Sequence, residues 1–167
     1  MFGGYKMFSV GQNVLYGTNG VCVVNDITEK KVGKVSMEYY VLKPLDTNFS
    51  TLFVPTKNEA LVKKIRDVMT KDMINGVLSK LPEPGEWNDN KQERSEQFKA
   101  VISNGDFTEL IRMIRLIYKH SDELSELGRH LHMSDERLLK EAEKMVTEEI
   151  EFVLDVDKQQ AIEMILK

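Results

Sequence analysis

The sequence predicts an α+β protein in two parts, a small β-barrel followed by an all-helical domain. Three observations carry that prediction. Between Phe8 and Pro55, short runs rich in Val, Ile, Tyr and Thr alternate with turn signals, the spacing of a small all-β unit. Beyond Pro55, apolar residues recur at intervals of three and four. The chain has 167 residues, 41% hydrophobic and 30% charged, enough for one or two compact units and unlike a disordered, collagen-like or membrane chain.

Residues 1–6 precede a second start-like Met7 and read as a leader or remnant outside the fold. The first domain is expected over residues 7–66, with strands at 14–16, 20–27, 37–42 and 51–54. Asn19-Gly20 supplies a turn in which positive φ costs little, and residues 30–34 form a charged loop around Gly33. Strands so closely connected pair antiparallel. Roughly 45 residues of them, closed on themselves, make an SH3-like or Tudor-like barrel.

A helix is expected over 67–81, through Met69, Met73, Ile74, Val77 and Leu81. Pro82 and Pro84 then break it, so residues 67–86 read as a connecting helix and linker. The helical domain follows at 87–167. A helix over 88–103 stops at Asn104-Gly105, and Asp106 caps the next, with Glu109 placed as in a capping box. Phe107, Leu110, Ile111, Ile114 and Tyr118 form the apolar face of that helix. Ser134 is the expected cap of a long helix over 135–154, and Asp157 with Gln160 opens a short final one.

Catalytic chemistry is not written in this sequence. It lacks a P-loop and a Rossmann fingerprint, and no nucleophile is set beside a base, so no catalytic residue, cofactor or metal is assigned. His130 and His132, two residues apart, offer at best half of a metal site and read as surface or packing histidines. The methionines at helical positions read as core filling. A single cysteine, Cys22, within an apolar strand excludes an intramolecular disulfide and fits a reducing cytoplasm. No apolar run reaches the roughly 18 residues of a membrane span, and no secretory signal is present.

The formal charge is −4, from 23 Lys+Arg and 27 Asp+Glu, so any nucleic-acid contact must be local. Residues 1–80 carry a net +4 and residues 81–167 a net −8. Within the second half only 91–119 are net basic, at +2, through Lys91, Arg94, Lys99, Arg112, Arg115 and Lys119. Charge alone favours an ordinary solvated helix surface. Trp87 lies just before these cations. It can wedge into an opened base step while cations hold phosphates, or it can anchor the linker to the bundle. The residues by themselves favour the anchor.

Several runs together carry a family resemblance. They are Phe8-Ser9-Val10-Gly11-Gln12-Asn13-Val14-Leu15-Tyr16, Asn19-Gly20-Val21, Glu38-Tyr39-Tyr40-Val41-Leu42-Lys43 and Val54-Pro55, followed by Trp87, Arg94, Ile102, Gly105-Asp106 and the paired helices with Leu110, Ile114 and Leu116. The chain resembles the CarD/CdnL family of bacterial transcription regulators, whose N-terminal module is similar to the polymerase-interacting domain of transcription-repair coupling factor.

That resemblance implies a Tudor-like domain docking on the RNA polymerase β subunit by strand addition. Thr51, Leu52, Phe53 and Val54 would form the docking strand, with Lys30 and Lys31 as basic contacts. Phe53 stands where family members often carry a basic residue. It also implies that Trp87 enters promoter DNA at the upstream edge of the bubble, with Lys91, Arg94, Lys99, Arg112 and Arg115 on phosphates. Arg94 follows Trp87 by seven positions, where relatives usually leave about three. The expected binding is weak alone, not sequence-specific, and dependent on tethering to polymerase. The rival expectation is a protein-interaction adaptor with no DNA role, which gains if these cations are dispersed or buried. The oligomeric state is not legible.

Overall fold

The computed structural model describes residues 7–167, so the leader expected at residues 1–6 lies outside the described residues. The chain forms two compact units, one extending to Val68 and one from Met69 to Lys167. The segment expected as a connector is divided between them. Asp67 ends a strand of the first unit, whereas the helix after it buries Ile74 completely in the core of the second.

In the first unit, β1 (Asn13–Tyr16), β2 (Val21–Val32), β3 (Val35–Pro44), β4 (Leu52–Pro55) and β5 (Ile65–Asp67) form one antiparallel sheet. Their order is β4-β3-β2-β1-β5, with a one-turn helix α1 (Glu59–Val62) ahead of β5. Val14, Val24, Leu42 and Val54, one from each of β1 to β4, are buried together with Phe8, Val62 and Ile65. One face of the sheet therefore carries a single core. Cys22 is part of that core, as its apolar neighbours predict.

β2 and β3 run further than the sequence predicts. They continue to the pair Val32↔Val35, leaving a two-residue turn in which Gly33 takes φ 66°, where a five-residue charged loop was expected. Strand–strand hydrogen bonds need no apolar alternation, so a ribbon solvated on both faces can be rich in charge. The register shifts between Val24 and Asp26, a bulge that bends the strand. β5 was not expected at all. It has three residues, too few to show a period, and its partner β1 lies about fifty positions away.

The second unit contains α2 (Lys71–Ser79), α3 (Lys91–Asn104), α4 (Phe107–Glu126), α5 (Met133–Leu154) and α6 (Lys158–Leu166). Side-chain caps fix most starts: Thr70 accepts from Met73 N–H, Asn90 from Gln92 and Glu93, Asp106 from Glu109, and Asp157 from Gln160 in a full capping box. Thr70 therefore moves the start of α2 four residues past the expected one. The expected cap at Ser134 is corrected. α5 begins at Met133, His132 occupies the cap position without a side-chain bond, and Ser134 lies inside the first turn. Gly105 ends α3 with φ 67°, as the sequence predicts. Ile111, Ile114 and Ile117 of α4 meet Val146 and Ile150 of α5 in the centre of the bundle. No helix among the described residues is long and apolar enough to cross a membrane.

Candidate functional site

Two surfaces hold the residues singled out from the sequence, one on each unit. On the first, β4 is an edge strand. Leu52, Phe53, Val54 and Pro55 pair with Leu42, Val41, Tyr40 and Tyr39 of β3, and no other described strand pairs with β4. The backbone groups on its outer side are therefore open to a further strand. Val54 points into the core at 1% exposure, whereas Phe53 is 45% exposed on the opposite face. Period-two alternation produces that division, and it leaves the outward side chains to select a partner.

Phe53 is not isolated. Tyr39 meets it edge to face with centroids 6.4 Å apart, and the Lys30 ammonium lies 3.6 Å from its ring centroid. Lys30 thus delivers a cation at Phe53 from a different strand. Lys31, the next residue along β2, points to the opposite face of the ribbon. Thr51 is exposed just ahead of β4.

On the second unit the surroundings of Trp87 are built largely from residues the sequence did not mark. The indole stacks on His120 at 3.8 Å with 11° between the planes, and the Arg94 guanidinium carbon lies 4.6 Å from its centroid. Phe98 abuts it at 6.0 Å. Arg94 is only 3% exposed. Its Nε and Nη2 donate to the two Asp135 carboxylate oxygens at 3.1 and 2.8 Å, and its Nη1 donates to the Asn88 carbonyl at 2.8 Å. Asp135, 2% exposed, lies 41 positions away in sequence, and no local signal connects it to Arg94.

The expected phosphate contact by Arg94 is therefore corrected. Its donors are turned inward, and it fixes the loop that carries Trp87. The packing matches the anchor reading of Trp87, since the ring is half-buried against the helical core.

The other expected cations differ in exposure and in partners. Lys91 and Lys99 are exposed on α3. Arg112 pairs with Glu109 at 3.3 Å and donates to the Glu83 carbonyl at 3.4 Å. Arg115 is half-buried and donates to the carbonyls of Pro82, Ile165 and Lys167 at 3.1, 2.9 and 2.9 Å, tying the proline loop to the end of α6. Its role in this unit is as a backbone clamp.

A pocket of about 270 Å³ adjoins Trp87, bounded by His120 and by Arg129, His130 and His132 of the α4–α5 turn. No group of three or more His, Cys, Asp or Glu among the described residues could hold a metal ion. Elsewhere in the bundle the Tyr118 hydroxyl donates to the buried Glu143 carboxylate. Burial first, and then that carboxylate, push the hydroxyl well above the ordinary tyrosine range.

With this geometry in place, comparison with known proteins accounts for both units. Residues 8–69 match the model of the CarD-like/TRCF RID domain, and residues 76–166 match that of the CarD C-terminal domain. A protein of Bacillus subtilis (strain 168) described as "Putative transcription factor YdeB" is 21% identical over 159 residues, covering 92% of this chain and 97% of that protein. The matched segments follow the division into a five-stranded sheet and a helical bundle, and together they span nearly the whole chain. The chain belongs to the CarD-like family of transcription regulators.

Proposed function

We propose that the protein regulates transcription by docking on the RNA polymerase β subunit through the outer edge of β4. Trp87 then contacts promoter DNA near the upstream edge of the bubble and changes the lifetime of the open complex, without catalysis and without sequence-specific readout. The observation that carries the docking step is the open edge of β4 beside the Phe53–Lys30 pair. Backbone groups of that edge attach a partner strand, and the aromatic–cation pair selects it. Lys30 over Phe53 also supplies the positive charge that the resemblance leads one to expect at position 53.

Retention of the polymerase β lobe on immobilised protein tests the docking step. Phe53→Asp and Lys30→Glu should each lower retention, and equal retention by both variants and the parent would overturn it. The DNA step is read separately, from open-complex lifetime under heparin challenge. Trp87→Ala should remove the effect on lifetime while leaving polymerase retention intact.

An adaptor reading has one observation in its favour. Among the expected phosphate contacts, Arg94 is buried and Arg115 is committed to backbone carbonyls. Polymerase retention with no change in lifetime would select the adaptor.

A further inference from the structure

We propose that His120 is a positioning residue for the promoter contact of Trp87: its ring holds the indole in one orientation before DNA arrives. This rests on the DNA step proposed above. It gives a part in that step to a side chain of α4, outside the loop that carries Trp87.

The loop itself needs outside support. Residues 81–89, between α2 and α3, form neither helix nor strand, and Pro82 and Pro84 contribute no N–H. Carbonyls in such a segment take their donors from elsewhere. Three arginines supply them on both sides of Trp87. Arg115 Nε donates to Pro82 O at 3.1 Å, Arg112 Nη1 to Glu83 O at 3.4 Å, and Arg94 Nη1 to Asn88 O at 2.8 Å. These bonds fix the path of the backbone. They leave the side-chain torsions of Trp87 to whatever touches the ring.

His120 makes the nearest ring contact, stacked at 3.8 Å with 11° between the planes. Phe98 lies further off, at 6.0 Å and tipped by 63°. A parallel stack restrains the tilt of the indole more closely than an edge contact does. It also covers one face of the ring, so no base can stack on that face. The sequence of α4 delivers His120 to this place. Ile111, Ile114 and Ile117 recur every three residues and are fully buried, and His120 is the next step of the same row. Its Nδ1 faces Glu123 Oε2 at 3.6 Å and has no hydrogen-bond partner among the described residues. The defining contact of His120 is therefore its ring plane.

A ring already held gives up little rotamer freedom when it meets the duplex. A stacked aromatic pair favours the held indole over the free one by up to about tenfold. Loss of the stack should raise the protein concentration needed for half of the effect on open-complex lifetime by the same factor.

The test uses the full chain with His120→Leu, which fills the space without a planar ring, and His120→Phe, which keeps the ring. Trp87 is the sole tryptophan, so its time-resolved fluorescence anisotropy reports this indole alone. His120→Leu should add a fast decay on the nanosecond scale or below that the parent and His120→Phe lack. Under heparin challenge, the half-effect concentration should rise by up to about tenfold for His120→Leu and stay near the parent value for His120→Phe. Polymerase retention should be equal in all three.

Leu and Phe variants that behave alike in both measurements would make His120 a space-filling residue, overturning the proposal and leaving the DNA step standing. A mobile indole in His120→Leu with an unchanged half-effect concentration overturns it too, since ring order would then have no bearing on DNA. A lifetime that ignores Trp87→Ala sinks the DNA step and the positioning role with it.

Discussion

The sheet unit and the helical unit solve the same problem with different materials. In the sheet, the core is apolar and the candidate site is a backbone edge. In the bundle, charge is built into the core. All four buried charged side chains among the described residues, Arg94, Asp135, Glu143 and Glu149, belong to the helical unit. The difference follows from where each architecture keeps its hydrogen bonds. A helix satisfies its own backbone, so anything it offers to a partner must be a side chain, and a side chain needs neighbours to hold it. An edge strand offers unsatisfied backbone and needs only the paired sheet behind it. Under the proposed function, recognition in the first unit would be separable from stability, and in the second it would not.

The largest effect that could break this contrast lies at the Arg94–Asp135 pair. Removing one member leaves the other charge buried without a counterion, and Arg94→Ala should cost about 3–5 kcal/mol in urea unfolding. The emission of Trp87 should shift at the same time, because the guanidinium 4.6 Å from its ring is lost. Because Trp87 is the sole tryptophan, the signal has one source. A cost near that of an exposed pair, below about 1 kcal/mol, would mean that Arg94 is not the positioning residue inferred for Trp87.

The same pair marks the limit of what the sequence reveals. Local rules were legible: Asp106 and Asp157 as caps, Gly105 as a helix stop, the positive φ of Gly20, the apolar faces of α4 and α5. Each depends on residues within one or two turns of one another. Arg94 reads as a phosphate contact because it is one of the cations that follow Trp87 in the resemblance, although the spacing is longer than in relatives, whereas its burial depends on Asp135 in another helix. His120, stacked on Trp87, was not singled out at all, since nothing within a turn of either residue indicates the other. On the sheet, Lys30 and Phe53 were both marked. Their meeting across strands follows from a register that only the paired β2, β3 and β4 define.

A second buried polar contact sharpens the contrast at intermediate size. Tyr118→Phe leaves the Glu143 carboxylate, 8% exposed, without its phenol donor. The expected cost is about 1–3 kcal/mol. The sign of its pH dependence is also fixed. Burial and Glu143 raise the Tyr118 hydroxyl above its ordinary value of 10.0, so the unfolded chain releases that proton first as pH rises. The contribution is present below about pH 10 and is lost above it, toward the raised folded value. Alkaline unfolding of the parent should therefore be steeper than that of Tyr118→Phe. Tyr16 on the sheet, raised by burial and by Cys22, gives a residual alkaline slope common to both. Identical slopes in parent and variant would remove Tyr118 from the account.

The smallest expected effect tests the other half of the comparison. Phe53 is 45% exposed and touches Tyr39 at its edge and Lys30 over its face. Phe53→Asp gives up an exposed cation–π contact of about 0.5–1 kcal/mol. It places a carboxylate within reach of the same ammonium, which returns a fraction of that through an exposed ion pair. The apolar core under β4 is untouched, because Val54 and Leu42 carry it. The unfolding free energy read in urea should therefore fall by no more than about 1 kcal/mol, while polymerase retention falls. A loss of several kcal/mol would show that the outer face of β4 helps to hold the sheet, and reduced retention by this variant would then report unfolding instead of a lost docking contact.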